Sequence, residues 1–148
     1  DEQQHQQRRR DPQGHRRRLR VGRDGFHHQA HRLGPAALPR AVCLACQRRT
    51  GSVFAALAGF GGAYRVSGTA SEYVRAGDQG SKYRFRFCPR CGTNLFHTTE
   101  GQSSPVSVAV GGFADPEFPP PQVSVYDCRR HAWVQLPSGV QAFDKDPP

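Results

Sequence analysis

The sequence predicts a mainly β domain of short antiparallel strands over residues 41–148, preceded by a disordered basic segment over residues 1–40. Three observations point there. The composition changes abruptly near Ala41, from Gln, Arg, His, Pro and Gly to short apolar runs. Beyond that point Gly, Pro, Asp and Ser clusters break the chain at intervals suited to strands. Two C-x-x-C pairs, Cys43/Cys46 and Cys88/Cys91, add the spacing of zinc knuckles.

At 148 residues the chain is the size of one domain with one core. It starts at Asp1 and contains no methionine, which reads as a trimmed or incompletely defined product. Residues 1–40 hold ten Arg against four acidic residues, and five of the seven histidines. Apolar residues are sparse there and keep neither a helical nor a strand period. Such a stretch buries too little apolar area to offset its ordering entropy, so mostly disorder or weak local helix is expected. The whole-chain charge of +9 resembles a nucleic-acid signal, but residues 41–148 carry only +3 of it. The runs Arg8–Arg10 and Arg16–Arg18 have no aromatic interleaving, so no specific nucleic-acid partner is expected. Histidines 27, 28 and 31 have no site-like spacing. With no long apolar run and no apolar leader, neither a membrane span nor a signal peptide is expected, and the default location is cytoplasmic.

From Ala41 onward the elements follow in order. Ser52–Phe60, small and apolar, suits a buried strand. Tyr64–Gly68 alternates and reads as a strand. Ser71–Arg75 pairs in a hairpin with Lys82–Phe87 through a turn at Ala76–Gly80. In the second of these, Tyr83, Phe85 and Phe87 share one face, and Lys82, Arg84 and Arg86 the other. Thr93–Thr98 is the return strand. Val106–Val110 is another strand, ended by Gly111-Gly112. Asp115–Pro121 is a Pro-rich loop. Val123–Tyr126 and Ala132–Leu136 are the last expected strands, and Asp144–Pro148 is a loose tail.

The cysteines carry the chemistry. Without a secretory signal, paired cysteines read as metal ligands before disulfides. Cys88-Pro-Arg-Cys91-Gly92 between two strands suits a zinc knuckle, where a tight turn brings two thiolates to one metal. Cys43 and Cys46 have the same spacing. A redox pair there would want an amphipathic helix after it, and Arg48–Ala58 shows no helical period. On spacing alone, all four thiolates on one structural zinc is the leading reading, which would make a non-enzymatic zinc ribbon serving as an interaction module. Cys128 is a lone thiol.

Longer stretches carry a resemblance. Cys43-Leu-Ala-Cys46-Gln-Arg-Arg-Thr-Gly-Ser52 resembles a cysteine motif of the glutathione-dependent formaldehyde-activating enzyme family, whose domain is shared with centromere-protein-V-like proteins. Tyr64–Gly68 is similar to the strand that follows. Phe87-Cys-Pro-Arg-Cys-Gly-Thr-Asn-Leu-Phe96 is similar to the family's FC-P-x-CG-x-x-LF signature. Trp133-Val-Gln-Leu-Pro137 and Phe143 resemble its W-x-x-LP…F ending. The resemblance implies a β-tent fold of twisted antiparallel sheets with two zinc sites. It implies a carbon–sulfur lyase that joins glutathione, a small thiol substrate, to formaldehyde. Cys43 and Cys46 would be the catalytic zinc thiolates, and Cys88 and Cys91 the structural ones. An open zinc position would let the substrate thiol coordinate and lose its proton.

The sequence departs from that pattern upstream. The family's C-x-C-x-x-C has Ala41 at its first position here, and no cysteine precedes Cys43. Residues 1–42 read as text foreign to the family, such as a frame error in GC-rich DNA would produce. Of the remaining polar residues, His97 reads as a hydrogen-bonded structural histidine, with a site-facing role as its alternative. Trp133 reads as packing. Arg48 and Arg49 read as exposed, with pairing to glutathione carboxylates as their alternative. Thr50 and Ser52 have no adjacent base that would make a nucleophile.

Overall fold

The computed structural model describes residues 38–61, 64, 66–101 and 106–147, together with the backbone of residues 18–21 and 26–29. Two strands, β1 (Arg18–Val21) and β2 (Phe26–Gln29), pair antiparallel as a separate ribbon. At these positions a backbone ladder replaces the expected disorder or weak helix, and such a ladder needs no sustained apolar period. The rest of the basic segment, through residue 37, lies outside the described residues.

The main body is one eight-stranded sheet and one helix, α1 (Leu44–Thr50). Its strands are β3 (Pro39–Ala41), β4 (Ala55–Phe60), β5 (Ser71–Ala76), β6 (Lys82–Phe87), β7 (Asn94–Thr99), β8 (Val106–Ala109), β9 (Val123–Val125) and β10 (Gln141–Phe143). Their spatial order is β10-β9-β3-β4-β8-β7-β6-β5. The β5–β6 hairpin falls where the sequence put it. Gly77 N donates to Ser81 O across its turn, and a Cβ on Gly77 would meet Tyr83 Cε2 at 2.5 Å.

The mainly antiparallel pattern expected holds for most of the sheet, with parallel pairs at one end. β3 pairs parallel with β9, and β9 parallel with β10. Parallel neighbours require a crossover of about a dozen residues, and the irregular stretch between Val125 and Gln141 supplies one. Two expected strands are not strands: residues 64 and 66–68 have no ladder, and Ala132–Leu136 is irregular. In the latter, Val134 N donates to His131 O at 2.9 Å and closes a turn. β10 was not foreseen.

Strand alternation gives the sheet two different faces. Ala58 and Phe60 of β4, Phe96 of β7, and Val106 and Val108 of β8 join Leu38, Cys88 and Leu95 in the main core. Fully burying residues such as Leu95 and Val106 contributes roughly 1.5–3 kcal/mol each. Leu57, Phe85, His97 and Ser107 project the other way, towards α1. On the face of β6 opposite Phe85, Arg84 pairs with Glu72 and Glu100 and Arg86 pairs with Glu72. These pairs are partly exposed and contribute little to stability. No helix among the described residues is long and apolar enough to cross a membrane.

Candidate functional site

α1 is where the cysteine motif acquires a shape. Cys43 is its N-cap: the Cys46 N–H donates to Cys43 Sγ at 3.2 Å, satisfying one of the free amides of the first turn. The Thr-Gly-Ser run ends the helix. Thr50 Oγ1 donates to Cys46 O at 2.9 Å and accepts from Ser52 N at 3.2 Å. Gly51 takes the left-handed conformation at φ 67°, and its N–H closes on Gln47 O. Gln47 anchors the helix laterally, donating to Val42 O and Arg129 O and meeting His131 Nε2 at 3.0 Å.

Between α1 and the sheet lies a cavity of about 580 Å³. Cys43 and Cys46 open onto it from the helix, and Ala41, Leu57, Ser107, His97, Phe85 and Arg75 from six strands. Register explains the convergence: Phe85 pairs with His97 and His97 with Ser107, so one row crosses three strands on one face. Ala41, Cys43, Cys46, Leu57 and Val125 also form a single buried cluster. Ala41, at the motif's first position, thus sits beside the pair and presents a methyl group.

The electrostatics are cationic around the sulfurs. The Cys43 thiol is held below the ordinary thiol range, chiefly by the hydrogen bond from the Cys46 side chain and against the opposing effect of burial. The Cys46 N–H, Arg75 and Arg129 also favour its thiolate. That hydrogen bond, together with burial, pushes Cys46 well above the range, so the pair shares a proton with the charge on Cys43. Arg49 lies with its guanidinium carbon 4.2 Å from the Phe85 ring centroid. All three of its guanidinium nitrogens are buried without a hydrogen-bond partner. It leans toward the Cys46 sulfur, outside hydrogen-bond geometry, and burial works against its charge. His97, half-buried against Tyr83 and Phe85, is pushed down to about 4 by burial, then by Arg49 and Arg75, and is neutral at pH 7. Tyr126 donates to Asp146 Oδ2 at 3.0 Å and is pushed up to about 12, first by burial and then by that bond.

The second pair stands apart. Cys88 is in the main core, while Cys91 is exposed with its Sγ 3.0 Å from Thr93 Oγ1. The loop has a knuckle's backbone: Cys88 N bonds Thr93 O, Gly92 N bonds Cys88 O, and Gly92 sits at φ 71°. Among the described residues no group of three or more His, Cys, Asp or Glu comes together to hold a metal. The four cysteines therefore do not converge as the spacing suggested.

Zinc needs three protein ligands at a catalytic site and four at a closed one. Around Cys43 and Cys46 the described residues supply two thiols, a methyl at the third position, and arginines that repel a dication; His97, Asp78 and Asp146 line the same cavity but do not group with the pair. This donor set does not fit zinc.

Several single residues also fall differently from expectation. Arg49 is half-buried, its guanidinium nitrogens enclosed in the cavity wall rather than exposed, because α1 turns them inward. His97 lines the cavity. Trp133 is 70% exposed, edge-on to His131, and is not packing in a core. Cys128 matches its expectation as a lone thiol: it is free and exposed, its Sγ 3.7 Å from Asp144 O. Arg75, Ser107, Tyr126 and Arg129 were not anticipated; the alternation of β5 placed Arg75 on one face, but nothing in the sequence said that face was inward.

A family model described as glutathione-dependent formaldehyde-activating enzyme matches residues 29–129, more than half of the chain. The match begins upstream of Ala41 and stops before the Trp133–Pro137 and Phe143 resemblance. No curated protein matches the chain.

Proposed function

The chain belongs to the glutathione-dependent formaldehyde-activating enzyme family, and from this we propose that the cavity under α1 binds a glutathione-class thiol and joins its sulfur to formaldehyde. The observation that carries the reading is Arg49. A buried guanidinium with only a ring face and a nearby sulfur, and no oxygen acceptor, is under-satisfied, and a carboxylate entering the cavity would supply charge-assisted bonds of about 1.5–3 kcal/mol. Arg48, Arg75 and Arg129 line the same space and suit a ligand with more than one carboxylate.

The chemistry needs a thiolate next to a carbonyl carbon. The carbon–sulfur bond forms as the carbonyl π pair moves to oxygen, and the thiol proton ends on that oxygen. The reverse step cleaves the adduct, which is the lyase direction. With Arg49 taken by a carboxylate, Arg75 stabilises the substrate thiolate. Cys43 and Cys46, which share one proton, are the residues assigned to relay it between sulfur and oxygen. Apolar walls from Leu57, Phe85 and Val125 limit competing water. No step runs through a metal.

The test is exchange of isotopically labelled formaldehyde with S-hydroxymethylglutathione, followed by NMR. The protein is expected to accelerate exchange, and Arg49→Met to reduce the acceleration at least tenfold. No acceleration by the folded wild-type chain contradicts the reading.

A further inference from the structure

The cavity holds more thiol chemistry than carbon–sulfur addition uses. Cys43 and Cys46 are three apart at the start of α1, the N-cap side chain bonded to the third amide. Helical residues so spaced have Cβ atoms roughly 5–6 Å apart, and a backbone adjustment of about 1–2 Å at the non-helical N-cap brings them to the roughly 3.5–4.5 Å separation of a disulfide. Both cysteines line one cavity, and among the described residues no third donor joins them to hold a metal. Ala41 fills the place from which another thiol would compete.

We propose that Cys43 and Cys46 act as a metal-free dithiol, closing to a disulfide while reducing a small carboxylate-bearing disulfide of the glutathione class held in this cavity. The substrate class rests on the reading of the cavity as a glutathione site. Cys43 sulfur attacks one sulfur of the bound disulfide, the S–S bond breaks, and the first glutathione leaves as a thiolate and takes a proton. A mixed disulfide remains on Cys43. Cys46 loses its proton, attacks the Cys43 sulfur and expels the second glutathione. Two electrons pass from the protein dithiol to the substrate disulfide, and two thiols are released. Excess glutathione runs the same steps backwards and restores the dithiol.

Position assigns the roles. The Cys43 sulfur is the N-cap acceptor of the Cys46 N–H, at the positive end of α1 where a thiolate is favoured, whereas Cys46 lies within the helix. Arg49 holds a carboxylate of the anionic disulfide beside the pair, and Arg75 stabilises the departing thiolate.

Tryptic cleavage after Arg40 and Arg48 isolates both cysteines in one peptide, Ala41–Arg48. The full chain, reduced and chelator-treated with its zinc content measured, is exposed to glutathione disulfide and, separately, to the neutral bis(2-hydroxyethyl) disulfide. The wild-type peptide is expected to lose two hydrogens and keep no glutathionyl group. Cys46→Ser is expected to trap one glutathionyl group on Cys43, and closure with the neutral disulfide to be at least tenfold slower. A peptide that stays a dithiol, adducts confined to Cys91 or Cys128, or a lasting wild-type adduct on Cys43 would overturn the proposal. Calorimetry with reduced glutathione separates the two readings. Binding without closure defeats the dithiol and leaves the proposed function standing. Equal closure rates with both disulfides and no glutathione binding defeat the glutathione site, and with it the substrate half of this inference.

Discussion

Ala41 and His97 show what single side chains decide. Ala41 is buried beside Cys43 and Cys46, so Ala41→Cys adds the missing third thiol where a metal would need it. The variant is expected to retain near one zinc per chain after gel filtration, and the wild type a small fraction of that; equal retention would show that position 41 does not limit metal binding. His97 makes a pH prediction. Its folded value of about 4 lies below the ordinary 6.5, so the unfolded chain binds the proton more readily between those values. Its contribution to stability is intact above pH 6.5 and is lost as pH falls toward 4, by at most about 3 kcal/mol. His97→Gln should flatten the stability profile in that window in urea titrations, and an unchanged slope contradicts its burial as a neutral ring. The importance of Ala41 was legible, because the motif around it is short and contiguous. That of Arg49 was not: side-chain direction depends on a helix whose period cannot show.

At the scale of elements, α1 is the part the sequence hid. Seven residues make less than two turns, too few for an apolar period to declare itself, so the missing helix counted wrongly against a redox pair. Its signals were local instead: a capping side chain at Cys43 and Thr50-Gly51 at the end. Gly51 has open space around an added Cβ, so its cost on substitution is conformational alone. Gly51→Ala is expected to lower stability by about 1 kcal/mol in denaturant unfolding, and Gly51→Asn by less, since Asn tolerates the left-handed region. Equal stability of all three would mean the cap does not hold the helix. β6 was readable throughout, because a six-residue alternation of aromatic and cationic side chains has one sensible pairing. The Tyr64–Gly68 and Ala132–Leu136 stretches read as strands too, but among the described residues no strand pairs with residues 64, 66–68 or 132–136.

For the whole molecule, the mainly β class followed from short runs and turns, while the parallel pairings of β3, β9 and β10 did not. Strand order joins residues far apart in sequence, and local pattern carries no record of it. The cavity is a product of that order: its wall takes residues from β3 to β9, and only register makes Phe85, His97 and Ser107 one row. The account stands on this wall receiving an anionic thiol at Arg49. The direct test is calorimetric titration of the full chain with reduced glutathione and with its diethyl ester, in wild type and Arg49→Met. Glutathione should bind the wild type at least tenfold more tightly than the ester does, and Arg49→Met should erase most of that difference. Equal affinity for the two ligands, or a preference untouched by Arg49→Met in a folded variant, would contradict the account.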